Sequence, residues 1–258
     1  MTRILALLAL LWTLSGQDAV SAAEVPAVAA AADLAFALPE VAEAFRKETG
    51  REVKLAFGSS GNFARQIESG APFEIFLSAD ESYVERLRKS AKALDSGSLY
   101  ALGRIVLFVP RGSPIRADSD FADLARALED NRLKKLAIAN PEHAPYGRAA
   151  REALQAAGLW EKARDRLVLG ENASQAAQFV ASGSAQAGII PLSLALAPAV
   201  QGRGTHAVIP ERLHRPLRQR MVLLQGAGDT AKAFYQFLQT PGARAIFENY
   251  GFVMPVDR

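Results

Sequence analysis

The chain has 258 residues, of which 50% are apolar and 22% charged, and this composition excludes a disordered or collagen-like chain. Its 30 Lys and Arg against 27 Asp and Glu give a net charge of +3 without a concentrated basic stripe, so nucleic-acid binding is not expected. The lack of Cys excludes disulfides, thiolate zinc sites and cysteine nucleophiles, and three scattered His residues do not suggest a metal site.

The first 23 residues have the three-part pattern of a secretory signal peptide. Arg3 supplies a positive charge, residues 4–14 are almost entirely apolar, and small residues follow at 20–23. The alternative is a retained membrane anchor, but the apolar run is shorter than the roughly 20 residues that span a bilayer. We therefore expect cleavage after Ala22 or Ala23 and a periplasmic mature protein.

Beyond residue 23, apolar strands alternate with amphipathic helices. Apolar residues at a period of two or in short buried runs predict strands at 28–32, 53–57, 73–77, 105–109, 136–139, 167–169, 187–190 and 221–224. Spacing near 3.6 predicts helices from 34 to 50, after 61, from about 80, around 121–128, and at 148–157, 173–181, 230–238 and 241–249. Such alternation predicts an α/β fold with mostly parallel sheets.

Three predicted loops lead from a strand into a helix and contain the candidate binding residues. They are residues 32–33, 58–62 and 140–147. In open α/β sheets, ligands bind at the carboxyl ends of strands, where helix N-termini favour anions. Ser60 either donates its hydroxyl to such an anion or caps its own helix. The loops match no glycine-rich nucleotide-binding pattern, so a nucleotide site is not expected.

Six motifs follow one another along the mature chain. They are Phe-Gly-Ser-Ser-Gly-Asn-Phe-Ala-Arg-Gln-Ile (57–67), Gly-Ala-Pro (70–72), Phe-Leu-Ser-Ala-Asp (76–80), Asn-Pro-Glu-His-Ala-Pro-Tyr-Gly (140–147), Glu-Asn-Ala (171–173) and Phe-Glu-Asn-Tyr-Gly-Phe (247–252). Together they resemble the periplasmic molybdate-binding proteins of ABC importers. The stretch from Ser-Ser-Gly to Ser-Ala-Asp is the most specific part of this resemblance.

The resemblance implies a type II periplasmic binding fold, with two α/β lobes and a ligand cleft between them. Lobe 1 would comprise residues 24–102 and 194–258, and lobe 2 residues 103–193. Molybdate or tungstate would be held by backbone N–H groups and hydroxyls, without a cofactor or a bare metal cation. The residues that match the binding positions are Asp33, Ser60, Tyr146 and Ala173. The implied partner is an ABC permease in the inner membrane, and we expect a monomer.

Two residues depart from the family pattern. Asp33 is acidic where many members carry Ser, and Pro191 replaces a Tyr that some members contribute near the hinge; Tyr146 could supply that phenol. Asp33 either caps the following helix, which we favour, or accepts a proton from the ligand. The second alternative would favour a protonated anion such as hydrogen phosphate.

Other functions remain open as alternatives. The chain could bind another oxyanion, such as phosphate or sulfate. The Ser59-Ser60 pair could be the nucleophile of a secreted serine hydrolase, but no Gly-x-Ser-x-Gly elbow is present. His143 lies in a candidate loop without a carboxylate partner nearby in the sequence, so we interpret it as structural. We therefore expect a binding protein and not an enzyme.

Overall fold

The computed structural model describes residues 25–255, so the predicted signal peptide lies outside the described residues. The strands are, in chain order, Ala27–Ala31 (β1), Lys54–Gly58 (β2), Ile75–Ser78 (β3), Ser98–Gly103 (β4), Ile105–Pro110 (β5), Leu136–Ala139 (β6), Leu167–Gly170 (β7), Ala187–Pro191 (β8), Gly204–Val208 (β9) and Leu217–Leu223 (β10). The α-helices are Ala37–Thr49 (α1), Ser60–Glu68 (α2), Glu81–Lys89 (α3), Ala122–Glu129 (α4), Pro145–Ala156 (α5), Trp160–Ala163 (α6), Ala173–Ala181 (α7), Leu192–Ala195 (α8), Asp229–Phe237 (α9) and Pro241–Asn249 (α10).

The strands form two five-stranded sheets with the orders β2-β1-β3-β10-β4 and β7-β6-β8-β5-β9. In the first, β1 pairs in parallel with β2 and β3, and β10 pairs antiparallel with β3 and β4. In the second, β6 pairs in parallel with β7 and β8, and β5 pairs antiparallel with β8 and β9. The α/β class is confirmed. The prediction of mostly parallel sheets is wrong, because the two strands that link the lobes, β5 and β10, run against their neighbours.

The described residues form three hydrophobic clusters, two packed against the first sheet and one around the second. Aromatic residues from α1, α9 and α10 pack together beside the first sheet, with Phe45 and Phe234 in edge contact at 5.1 Å between ring centroids. The core around the second sheet contains Phe108, Phe121 and Ile138. The cluster around the second sheet also includes Ala31, Ala32 and Ala79 beside the first sheet, so the two bodies meet at the ends of these strands.

The connections between the sheets locate the lobe boundaries. Gly103 ends β4 in the first sheet, and Ile105 begins β5 in the second. Strand β9 pairs with β5, although we had predicted that the chain returns to lobe 1 at Leu194. We therefore propose that the chain returns between Val208 and Leu217. The strand was missed because its exposed edge position leaves no apolar alternation in the sequence.

Two helices begin at residues other than the predicted ones, and both differences change where candidate binding residues lie. A 3₁₀ turn, Ala32–Leu34, follows β1, and α1 begins only at Ala37. Helix α5 begins at Pro145, three residues before the predicted start, because proline fits the first helical position, where its missing N–H costs nothing. Tyr146 consequently lies in the first turn of a helix and not in a loop.

Candidate functional site

The carboxyl ends of strands from both sheets meet around a small cavity with an accessible volume of about 10 Å³. Its lining comes from the segments after β1, β2, β3 and β6 and from the start of α7, namely Ala31, Ala32, Asp33, Gly58, Ser59, Ser60, Ala79, Ala144, Pro145, Tyr146 and Ala173. The four predicted binding residues, Asp33, Ser60, Tyr146 and Ala173, are thus brought together in one place. A larger groove with an accessible volume of about 650 Å³ runs beside α7 and α8, but Asp33, Ser60 and Tyr146 do not line it.

Three helices begin at this cavity. Ser60 is the first residue of α2, Tyr146 the second of α5, and Ala173 the first of α7. The first N–H groups of a helix have no intrahelical acceptor, and the helix dipole places partial positive charge there. None of the described residues that line the cavity is Lys or Arg. The cavity therefore suits an anion that is bound by neutral donors.

Ser60 is fully buried, and its hydroxyl oxygen accepts a hydrogen bond from the Ala79 backbone N–H at 3.0 Å. Because the oxygen acts as the acceptor in that bond, its own hydrogen is free to be donated into the cavity. The residue that caps α2 is Ser59, whose Oγ accepts from the Asn62 N–H at 3.4 Å. The capping interpretation of Ser60 is therefore wrong.

Asp33 is 1% exposed and does not cap a helix. The N-cap of α1 is Phe36, which makes no side-chain cap, so the favoured interpretation of Asp33 is wrong as well. Its Oδ2 accepts hydrogen bonds from Gln219 Nε2 at 2.6 Å and from the Tyr146 hydroxyl at 2.9 Å. Its Oδ1 is buried and has no hydrogen-bond partner within residues 25–255. Burial raises the pKa of Asp33 from 3.8 to about 6, against the opposing effect of hydrogen bonds from Gln219, from Tyr146 and from its own backbone.

Gln219 and Tyr100 complete a buried polar network that we did not predict. The Tyr100 hydroxyl donates to Gln219 Oε1 at 2.6 Å, which orients the amide so that its Nε2 faces Asp33. Burial raises the pKa of Tyr100 and of Tyr146 well above 10, so both phenols stay protonated donors. The sequence does contain one signal for this network. Gln219 is flanked by two Arg residues and lies on the same face of β10 as the buried Leu217 and Met221.

Hydrogen bonds cross between the lobes beside the cavity. The Tyr146 hydroxyl reaches Asp33, and the Ser174 hydroxyl donates to the Ala32 carbonyl oxygen at 2.8 Å. Ser193 donates to the Asp33 carbonyl oxygen at 2.8 Å. An ion pair joins Arg148 in α5 and Asp80, the N-cap of α3, at 3.2 Å. These contacts hold the two lobes closed over the cavity.

His143 also crosses the cleft and has a carboxylate neighbour that the sequence did not reveal. Its Nδ1 lies 2.9 Å from Ser59 Oγ, and its Nε2 lies 3.6 Å from Glu171 Oε2. The order Ser, His, Glu resembles a hydrolase triad. However, Ser59 is 4% exposed and caps α2, and the nearby Gly61 N–H is bonded to the His143 carbonyl oxygen at 3.0 Å. The cluster therefore joins the two lobes beside the cavity.

Pro191 ends β8 and does not line the cavity. Its position leads directly into α8, where Ser193 contacts Asp33. Across the described part of the chain, no cluster of three or more His, Asp or Glu residues is placed to hold a metal ion. Within the same residues, no helix has the length and apolar character needed to cross a membrane.

Comparison with known proteins extends these observations. The chain is 38% identical over 237 residues to the molybdate-binding protein ModA of Azotobacter vinelandii, covering 91% of each chain. It is 39% identical over 228 residues to ModA of Rhodobacter capsulatus, covering 87% of this chain and 86% of that one. The structure matches that of the Azotobacter vinelandii periplasmic molybdate-binding protein with a TM-score of 0.81 and 31% identity, over 90% of this chain and all of that one.

The resemblance inferred from the six motifs is thereby confirmed, as is the two-lobed fold that it implied. A sulfate-binding protein of Mycobacterium tuberculosis shares the fold with a TM-score of 0.72 at 18% identity. The family model described as bacterial extracellular solute-binding protein matches residues 26–253. The chain belongs to the family of bacterial extracellular solute-binding proteins.

Proposed function

We propose that this protein captures molybdate, and also tungstate, in the cavity between its lobes and delivers it to an ABC permease. The observation that carries the proposal is the convergence of three helix N-termini and the Ser60 hydroxyl on a small buried cavity. The described residues that line this cavity include no cationic side chain. Neutral, fixed donors bind a dehydrated oxyanion without a counter-ion. The molybdate-binding relatives support molybdate as the ligand.

We propose that Ser60, Tyr146, Ala173 and Asp33 contact the ligand directly. Ser60 would donate its free hydroxyl hydrogen, and Ala173 its helix-terminal N–H group. Tyr146 would contribute backbone N–H from the first turn of α5, while its hydroxyl remains on Asp33. Because the contacts come from both lobes, the ligand favours the closed arrangement over an open one.

The protein would act by binding alone, with no covalent chemistry. Ser59 supports this view, because it is buried and its oxygen caps α2 by accepting from the Asn62 N–H. An assay with activated esters provides the check, and we expect no turnover above that of a Ser59→Ala variant. Hydrolysis that disappears in this variant would establish the hydrolase alternative.

Export to the periplasm and a monomeric state complete the proposal. The pattern of residues 1–23 and the periplasmic relative support export. The mass of the exported protein should correspond to cleavage after Ala22 or Ala23, and light scattering should give the mass of one chain.

Calorimetric titration of the exported protein with molybdate, tungstate, sulfate and phosphate tests the ligand. A ligand that binds only the folded state stabilises it by about 4 kcal/mol when present at ~1,000 times its dissociation constant. We expect molybdate and tungstate to bind and to raise the melting temperature clearly, with a much smaller effect of sulfate. If phosphate is bound in preference to molybdate, the ligand assignment is wrong, and if no oxyanion binds, the proposal as a whole fails.

A further inference from the structure

Asp33 presents an apparent conflict within the proposed site. Of its two carboxyl oxygens, Oδ2 is already bonded to Gln219 and Tyr146, whereas Oδ1 is buried, unpartnered among the described residues and part of a residue that lines the cavity. Oδ1 is therefore the atom that meets the ligand. An oxyanion presents only acceptors, and an ionised carboxylate also presents only acceptors. The two cannot form a hydrogen bond without a proton between them.

Among residues 25–255, no cation is placed to offset the negative charge of Asp33. Helices α7 and α8, which pack against the Ala32–Leu34 turn, contain no titratable side chain, and the phenols of Tyr100 and Tyr146 stay neutral. The remaining charged and titratable groups on the described surrounding elements all have other partners or lie at a distance. They are Lys54 at the far end of β2, Arg104 bonded to the Gly251 carbonyl oxygen, Arg218 and Arg220 paired with Glu81, Arg148 paired with Asp80 and Glu152, Arg151 paired with Glu142, and His143 beside Ser59 and Glu171.

We propose that Asp33 is protonated when the oxyanion is bound, donating its O–H from Oδ1 to a ligand oxygen, so that binding takes up one proton from solution. This inference rests on the proposed function, since it requires the oxyanion to lie in the cavity. No bond other than the hydrogen bond forms. Before binding, Asp33 is a carboxylate and the ligand a free dianion. After binding and the uptake of one proton from solution, Asp33 is a neutral acid that is hydrogen-bonded to the dianion.

The geometry of the network supports this protonation state. Gln219 is oriented by Tyr100 and, like Tyr146, donates to Oδ2, which fixes the carbonyl-type oxygen of the acid and leaves Oδ1 to carry the hydrogen. Burial also prepares the carboxyl for protonation, since it raises the pKa of Asp33 to about 6 in this closed form. An adjacent dianion raises this pKa further, because it disfavours the ionised acid.

The sign of the pH dependence follows from proton uptake. Below about pH 6, free Asp33 is already protonated, and binding requires no further proton. At higher pH the free protein loses this proton and must regain it on binding. Affinity should therefore fall by up to about tenfold for each pH unit above about 6.

Titration calorimetry with molybdate at about pH 6.5, 7.5 and 8.5, in pairs of buffers with different ionisation enthalpies, measures the proton uptake directly. We expect uptake approaching one proton per molybdate at the highest pH, together with the loss of affinity. The matched variant is Asp33→Asn, whose side-chain N–H₂ donates at every pH. It should bind molybdate without proton uptake and with an affinity that does not change over this range.

The outcomes separate the two proposals. Tight molybdate binding by the wild type without proton uptake, or a pH dependence that Asp33→Asn retains, would overturn the protonation of Asp33 and leave the proposed function intact. No binding of molybdate at any pH would instead overturn the proposed function. Because the wild-type measurement is decisive alone, a poorly folding variant would not prevent the test.

Discussion

Replacement of Ser60 by Ala tests the binding site through two separable effects. The variant removes the acceptor of the buried Ala79 N–H and also a hydroxyl hydrogen that is free to point into the cavity. The first effect acts on folding. An unsatisfied buried N–H costs about 1–3 kcal/mol, so we expect the free variant to melt at a lower temperature.

The second effect acts on binding. A hydrogen bond to a charged group contributes roughly 1.5–3 kcal/mol, so Ser60→Ala should weaken molybdate binding by about ten- to a hundredfold. Calorimetric titration gives the dissociation constant, and thermal unfolding without ligand gives the change in stability. Both should be measured on the same preparation at the same pH.

Ser78→Ala is the matched control. Ser78 is also fully buried and bonds to the Asp80 backbone at 2.7 Å, but it does not line the cavity. We expect it to destabilise the protein to a similar degree and to leave the dissociation constant within a few-fold of the wild type. If Ser60→Ala keeps wild-type affinity, or if Ser78→Ala loses as much, the assignment of Ser60 as a ligand donor is refuted.

Three further predictions concern the network and the closure of the lobes. Between about pH 4 and pH 7 the ligand-free wild type should lose about 3 kcal/mol of folding stability, and Asp33→Asn should not. The reason is that the Asp33 carboxyl keeps its proton up to about pH 6 in the folded state but only up to about 3.8 in the unfolded state. Equal pH profiles of chemical unfolding for the two proteins would contradict this. Gly103→Ala should weaken molybdate binding at least tenfold in titrations, since a Cβ at Gly103 would overlap the Tyr146 hydroxyl and break its hydrogen bond to Asp33. Unchanged affinity would show that the network does not shape the site. Asp80→Asn keeps the helix cap but removes the ion pair with Arg148, so molybdate should dissociate roughly three- to tenfold faster in stopped-flow measurements. An unchanged dissociation rate would show that this ion pair does not hold the lobes closed.

Local sequence determined the elements that carry the site. Helices α7 and α10 begin and end where their apolar spacing predicts, because each has a capping residue, Asn172 and Thr240, directly before a well-patterned helix. The loop at residues 58–62 is predictable from local sequence because, at a strand-to-helix junction, glycine allows close approach to the backbone and serine supplies a hydroxyl donor. Local patterns of this kind do not depend on the rest of the chain.

Only the tertiary structure decided the chemistry of the site. Asp33 was predicted to cap a helix, as its sequence neighbours suggest, but its carboxyl group turns toward Tyr146, which is 113 residues away, and Gln219, which is 186 residues away. The tertiary structure likewise places the Glu171 carboxylate beside His143. The protonation of a buried group depends on the groups that surround it in space, and here those groups come from strands and helices of both lobes. No window of sequence around Asp33 contains them.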